Sequence, residues 1–214
     1  MEESTSREKI LKKIRKALIH KSELDFGAVD FDAEIYTSSE EPPEILFAQR
    51  FTALNGKFVF CENEQDFGFT LSALLKENGW ESVYCLDEKI KTLLNTAKIS
   101  FSDKESDFVN VNIGVTTCEY LVARTGSVII SSRQAAGRRL PAYSNYHIVV
   151  AFTDQLVNSI KDALKEIKNK YGTNMPSLIS AITGPSRTAD IEKTLVQGAH
   201  GPKEIYVLLI DSAG

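Results

Sequence analysis

The chain predicts an α/β fold, a mainly parallel sheet flanked by helices and preceded by an N-terminal helical arm. Three observations carry that expectation. From Pro43 onward, apolar runs of strand length alternate with amphipathic stretches, the order that crossover units of a parallel sheet require. With 43% hydrophobic and 25% charged residues, a chain of 214 can bury a core, which excludes a disordered polypeptide. Residues 1–43 lack the alternation, so they are read as a basic helix and acidic linker ahead of one α/β domain, residues 44–214.

Taken in order, Thr5-Ser6-Arg7-Glu8 fits a capping box, in which hydroxyl and carboxylate satisfy backbone donors reciprocally. Ile10, Leu11, Ile14, Ala17 and Leu18 then form an apolar stripe at helical spacing, opposite Lys12, Lys13, Arg15 and Lys16. That stripe must be buried against the body or against another subunit, which would make a homo-oligomer through the N-terminal helix. Residues 1–21 carry seven Lys/Arg against three Glu, and residues 22–44 carry eight acids and no base. The pair reads as a solvated helix and a linker that partly neutralise each other, ahead of a partner-binding arm.

Pro43 suits the first turn of a helix that runs to about Leu54 and stops at Asn55-Gly56. Residues 57–61 read as a strand, Gln65 to Asn78 as a helix, residues 82–86 as a strand, and Asp87 as the cap of a short helix to about Asn95. Residues 109–113 read as a further strand, Val115 to Ala123 as a short helical or irregular piece, and Thr125-Gly126 as a turn into the strand from Ser127 to Ile130. A polar loop, 133–146, leads to a strand at 147–152; Asp154 then caps a helix from Gln155 to about Tyr171, with Leu156, Ile160, Ala163, Leu164 and Ile167 inward. The C-terminal run reads as a strand at 178–182, a Gly-Pro turn, a helix, a Gly-rich loop and a strand at 205–210.

Composition excludes several functions. The net charge of −4 offers no basic excess for nucleic acid. No apolar run is long enough to span a membrane, and the N-terminus lacks the apolar core of a signal peptide, so a cytoplasmic location is the default expectation. Cys61, Cys85 and Cys118 lie far apart, with Cys61 and Cys85 read as buried, inert thiols. His20, His147 and His200 are scattered. Neither an iron–sulfur cluster nor a metal is therefore expected in this chain. Dinucleotide, P-loop and nucleophile-elbow sequences are missing.

The most informative stretch is TGPSRTADIEKTLVQGAHG, residues 183–201. Ligands of open α/β sheets sit where a strand passes into a helix, and a helix N-terminus favours an anion. A plain cap needs one hydroxyl; this turn offers Thr183, Ser186 and Thr188, the Arg187 guanidinium and the Asp190 carboxylate. We read it as a small-anion site in which Arg187 holds the anion, Thr183, Gly184 and Ser186 approach it, and Asp190 orients Arg187. His200 is read as a hydrogen-bonded spacer, with a general acid/base role as its alternative, and His147 as structural.

The segment GVTTCEYLVARTGS, residues 114–127, would face that turn with Thr116, Gly126 and Ser127. Glu119 is the only acid between Phe108 and Phe152. It is either a base or covalent nucleophile in the site, or a surface carboxylate paired with Arg124. Arg138, on the polar loop, would add positive charge for a multiply charged ligand, or is simply exposed.

These two stretches also carry a resemblance. TGPSRTADIEKTLVQGAHGP at 183–202 resembles the C-terminal signature of the LUD-domain family, the lactate-utilization protein C group, and GVTTCEYLVARTGSVIISS at 114–132 resembles its second motif. Two departures accompany it: Arg124 stands where relatives commonly have Glu, and 133–139 is polar where they are rich in Gly and Pro. The resemblance implies a fold similar to the sugar-phosphate isomerase/CoA-transferase class. It also implies a cluster-free role in oxidation of L-lactate to pyruvate, beside two separate iron–sulfur proteins. Other classes stay open: an acyl/CoA- or phosphate-ligand-binding transferase, or a non-catalytic anion-binding assembly or sensor subunit.

Overall fold

The computed structural model describes residues 5–19, 40–191, 194–197 and 201–212, without the side chains of 18, 188–191 and 194–197. The chain divides into two compact units, Met1–Ser38 and Ser39–Gly214. The first contains helix α1 (Ser6–Ile19), opened by the expected capping box: Thr5 N donates to Glu8 Oε2 at 2.9 Å and Glu8 N to Thr5 Oγ1 at 3.4 Å. Ile10, Leu11 and Ile14 of its stripe are exposed.

In the second unit, α2 (Pro43–Ala53), β1 (Lys57–Cys61), α3 (Glu64–Glu77), β2 (Val83–Cys85), α4 (Glu88–Thr96) and β3 (Phe101–Ser102) follow the expected alternation. Local chemistry sets their ends. Asn55 takes a left-handed φ of 63° after α2, and the Asn63 carboxamide and Asp87 carboxylate cap α3 and α4. Then come β4 (Ile113–Thr117), β5 (Tyr120–Val122), β6 (Ser127–Ser131), α5 (Arg139–Tyr143), β7 (Tyr146–Phe152), β8 (Leu156–Val157), α6 (Ile160–Tyr171), β9 (Ile179–Ile182), β10 (Arg187–Ile191), β11 (Thr194–Gln197) and β12 (Glu204–Ile210).

Six strands form a wholly parallel sheet in the order β1-β12-β7-β4-β2-β3. Both faces are covered, so its central strands read as continuous apolar runs without alternation. Ile148, Val150 and Phe152 of β7 join the core under α3 and α4, whereas Val149 and Ala151 join the core beneath α2. A second sheet, β8-β5-β6-β9, packs over that latter core through Leu121, Val128 and Ile130. No described helix is long and apolar enough to cross a membrane.

Topology singles out one place. β2 and β4 are neighbours, yet the chain leaves β2 through α4 towards β3 and leaves β4 through the second sheet and α5 towards β7. The connections also take opposite faces: α4 packs on the Ile113 and Val115 side of β4, and Leu140 of α5 packs on the Gly114 side. A crevice beyond the carboxyl ends of two such diverging strands is where this class of sheet binds ligands.

Four expectations are corrected. The strand expected at 109–113 starts only at Ile113; residues 105–110 are a 3-10 turn in which Phe108 is buried and Val109 exposed. The piece expected to be helical or irregular at 115–123 is the end of β4 and all of β5; at Gly114 Leu140 presses directly on the sheet. The helix expected from Gln155 begins at Ile160 under a Ser159 capping box, since Leu156-Val157 pairs with β5; Ile160 and Leu164 remain exposed. Lastly, the helix expected after the Gly184-Pro185 turn is an antiparallel hairpin, β10–β11, pairing Arg187 with Gln197 and Thr188 with Val196. Thr188, Ile191, Thr194 and Val196 are β-branched and favour the ladder.

Gly126 joins the second sheet to α2. Its φ is +60°, and a Cβ there would lie 2.5 Å from Phe51 N and 2.7 Å from the Arg50 carbonyl carbon. Gly126→Ala combines left-handed strain with a backbone clash, so it should cost about 3 kcal/mol or more. Urea denaturation checks this, and a loss below roughly 0.5 kcal/mol would contradict it.

Candidate functional site

At the divergence of β2 and β4, polar side chains tie the two strand ends together. Thr117 Oγ1 donates to Asp87 Oδ2 at 3.1 Å, while Asp87 Oδ1 accepts Lys89 N at 3.0 Å and Ile90 N at 3.3 Å. Gln134 bridges to the next layer: its Nε2 donates to Thr117 Oγ1 at 3.1 Å and its Oε1 accepts Ser131 N at 2.9 Å. Outside this strut opens a cleft of about 410 Å³, lined by Leu86, Phe108, Ser132, Gln134, Arg138 and Ser177 among others. Arg139, also in its wall, pairs with Glu105 at 3.0 Å and lies 4.3 Å from the centre of the Phe108 ring. Arg138 is exposed and has no hydrogen-bond or ionic partner among the described residues. A guanidinium open to solvent at this position is available to an oxyanion.

Glu119 is not a surface carboxylate. Its side chain is fully buried and accepts from Ser131 Oγ at 2.5 Å, Tyr171 OH at 2.8 Å and Lys170 Nζ at 2.8 Å. Burial pushes its pKa up, but the hydrogen bonds from Lys170, Ser131 and Tyr171 outweigh that and hold it below the usual carboxylate value. All this fastens the C-terminal turn of α6 to β6. A carboxylate so occupied is a poor nucleophile, because its lone pairs are engaged and its basicity is low.

The two motif segments do meet, though not around a helix N-terminus. Ser127 Oγ and Thr183 Oγ1 lie 2.8 Å apart, and Ser127 Oγ also donates to Thr125 Oγ1 at 2.8 Å. Gly184, with φ +96°, passes so near the Leu54 carbonyl that a Cβ would sit 2.7 Å from its oxygen. Arg187 Nη2 donates to that same carbonyl at 2.5 Å, Ser186 N donates to Pro202 O at 3.0 Å, and the Ser186 side chain lies beside Gly201. Arg187 thus caps the carbonyl end of α2, where a cation is favoured. With β10 in place of the expected helix, the positive helix end invoked for an anion is not there. The side chains of Thr188 and Asp190, and all of His200, lie outside the described residues.

Thr116 is buried within the large sheet, 2.8 Å from Nε2 of the equally buried His147, so it does not face the Thr183 turn. His147 Nδ1 has no hydrogen-bond partner among the described residues, and burial takes its pKa down to about 4. Cys61, Cys85 and Cys118 are all buried; burial pushes the Cys61 thiol up to about 11 and the Cys85 thiol to about 12. Sequence reasoning found Asp87 only as a cap and missed Thr117, Gln134, Lys170 and Tyr171 as members of one network. Topology alone brings them together; no spacing along the chain signals it.

Comparison with known proteins now adds to this geometry. The LUD domain profile matches residues 45–210. The chain belongs to the LUD-domain family. This LUD-domain protein is 30% identical over 181 residues to "Lactate utilization protein C" of Geobacillus thermodenitrificans, covering 83% of this chain and 72% of that one. It is 35% identical over 103 residues to the protein of the same name from Halalkalibacterium halodurans, covering 47% and 45%. Several such matches span under half of the relative's own length. A crystal structure of a DUF162 family protein from Deinococcus radiodurans superposes with a TM-score of 0.59 at 16% identity, over 78% of this chain and 96% of that one, so the two share a fold.

Two outcomes follow from the buried groups. Lys170→Met strands an ionised carboxylate and should cost about 2–3 kcal/mol, less than a fully buried pair because Lys170 is 53% exposed. Glu119→Gln keeps an acceptor for Ser131 and Tyr171 and leaves the half-exposed Lys170 to water, so it should cost about 1 kcal/mol. The reverse order in urea midpoints would show that the pair is not what fastens α6. His147, neutral in the fold with its pKa near 4, titrates near 6.5 once unfolded. Stability should therefore fall as pH drops through that interval, by up to roughly 3 kcal/mol below its lower end. Glu119, with a lowered pKa, withdraws its own contribution only as pH falls below about 4.5. His147→Leu should flatten the profile between pH 6.5 and 4.5; identical slopes for variant and parent would contradict the assignment.

Proposed function

We propose that this LUD-domain protein serves lactate utilization by binding an anionic ligand in the cleft beyond β2 and β4, with Arg138 as the anion's partner. One observation carries the reading: a guanidinium without a partner among the described residues lines a cleft of about 410 Å³ where the sheet's connections diverge. The lactate role is taken from the relatives named lactate utilization protein C; iron–sulfur partner proteins are an expectation from the resemblance of the two motif segments alone. Binding, not covalent transfer, is the function supported, because the buried and triply bonded Glu119 is unsuited to form an acyl intermediate.

A second reading places the anion at the Thr183–Arg187 corner. It is favoured by the Ser127–Thr183 contact at 2.8 Å, which joins the two motif segments. Single variants separate the two sites. With lactate, pyruvate and phosphate as probes in thermal-shift titrations, Arg138→Ala should weaken binding by about 1.5–3 kcal/mol, roughly 10- to 100-fold. Arg187→Ala should leave affinity unchanged and lower the melting temperature through the lost α2 cap. The opposite pattern would move the site to the Thr183 corner.

A further inference from the structure

We infer that the anion held by Arg138 is the end group of a larger, nucleotide-sized molecule with a flat and partly apolar body, and not a free three-carbon acid. The inference rests on the cleft reading above and adds the class of ligand. Its first support is size. A cavity of about 410 Å³ falls in the range that encloses drug-sized ligands, whereas lactate would occupy a small part of it.

The second support is the mixed lining. Polar groups of Ser132, Gln134, Ser177 and Arg138 share the cleft with apolar Leu86, Phe108, Ala135 and Ala136. A three-carbon acid on Arg138 would leave those apolar groups wet and their burial unused. A ligand joining an oxyanion to a planar body would cover both.

The third support is Arg139. Glu105 neutralises its charge at 3.0 Å, and its guanidinium lies over the Phe108 ring at 4.3 Å. So held, it serves less as a second anion partner than as a flat surface beside Arg138, suited to stacking on a planar group.

The test is calorimetric titration of the full chain with a purine nucleoside diphosphate (ADP), inorganic pyrophosphate, adenosine and lactate, repeated on two variants. ADP should bind at least tenfold more tightly than pyrophosphate, lactate or adenosine. Arg138→Ala should weaken ADP tenfold or more. Ala135→Phe, at an exposed wall position, should weaken ADP by a similar factor and leave pyrophosphate unchanged. If pyrophosphate or lactate binds as tightly as ADP and still depends on Arg138, the inference falls while the anion cleft stands. If none of the four binds, or if binding ignores Arg138, the cleft reading itself falls and takes the inference with it.

Discussion

Burial of the parallel sheet on both faces leaves its strand ends as the places where the sheet can meet a ligand. Every other feature of the site follows from that constraint. The central strands are mostly apolar, Thr116 and His147 satisfying each other inside the sheet, and the polar groups free to meet a ligand gather where the strands stop: Asp87 after β2, and Thr117 at the end of β4. Their connections depart on opposite faces, which opens a crevice that neither α4 nor α5 fills. Gln134 then fixes the height of the overlying loop by bonding Thr117 and Ser131 together. Arg138 hangs from that loop, and its position depends on the same strut.

The buried Glu119 network works on the other side of Ser131. Ser131 donates its hydroxyl to Glu119 and its backbone N–H to Gln134, so α6, β6 and the cleft loop share one hydrogen-bonded path. A carboxylate this deep is tolerable only because a cation and two hydroxyls compensate its lost hydration. Its part is to hold the second sheet and α6 in register. The Thr183–Arg187 corner is likewise tight packing: Gly126 and Gly184 are there because the α2 backbone leaves no room for a Cβ.

Features set by near neighbours were legible in the sequence. The Thr5 capping box, the Asp87 cap, the stop at Asn55 and the left-handed Gly126 are each decided within a few residues. β4 was not legible, because a strand buried on both faces shows no alternation. The C-terminal hairpin was missed for a related reason: TADIEKTLV has a passable helical pattern, and only the pairing of 187–191 with 194–197 reveals the ladder. In the site, Arg138 could be named from its loop, but Gln134 and Lys170 act on partners 17 and 51 residues away, beyond the reach of any local motif.

The central claim is that an anion is recognised at the divergence of β2 and β4. A crystal structure of the full chain grown with pyrophosphate tests it most directly. Recognition at that place requires density beyond the ends of these strands, within hydrogen-bonding distance of the Arg138 guanidinium. Density seated on Arg187 and Ser186, with the Arg138 cleft filled only by water, would contradict it.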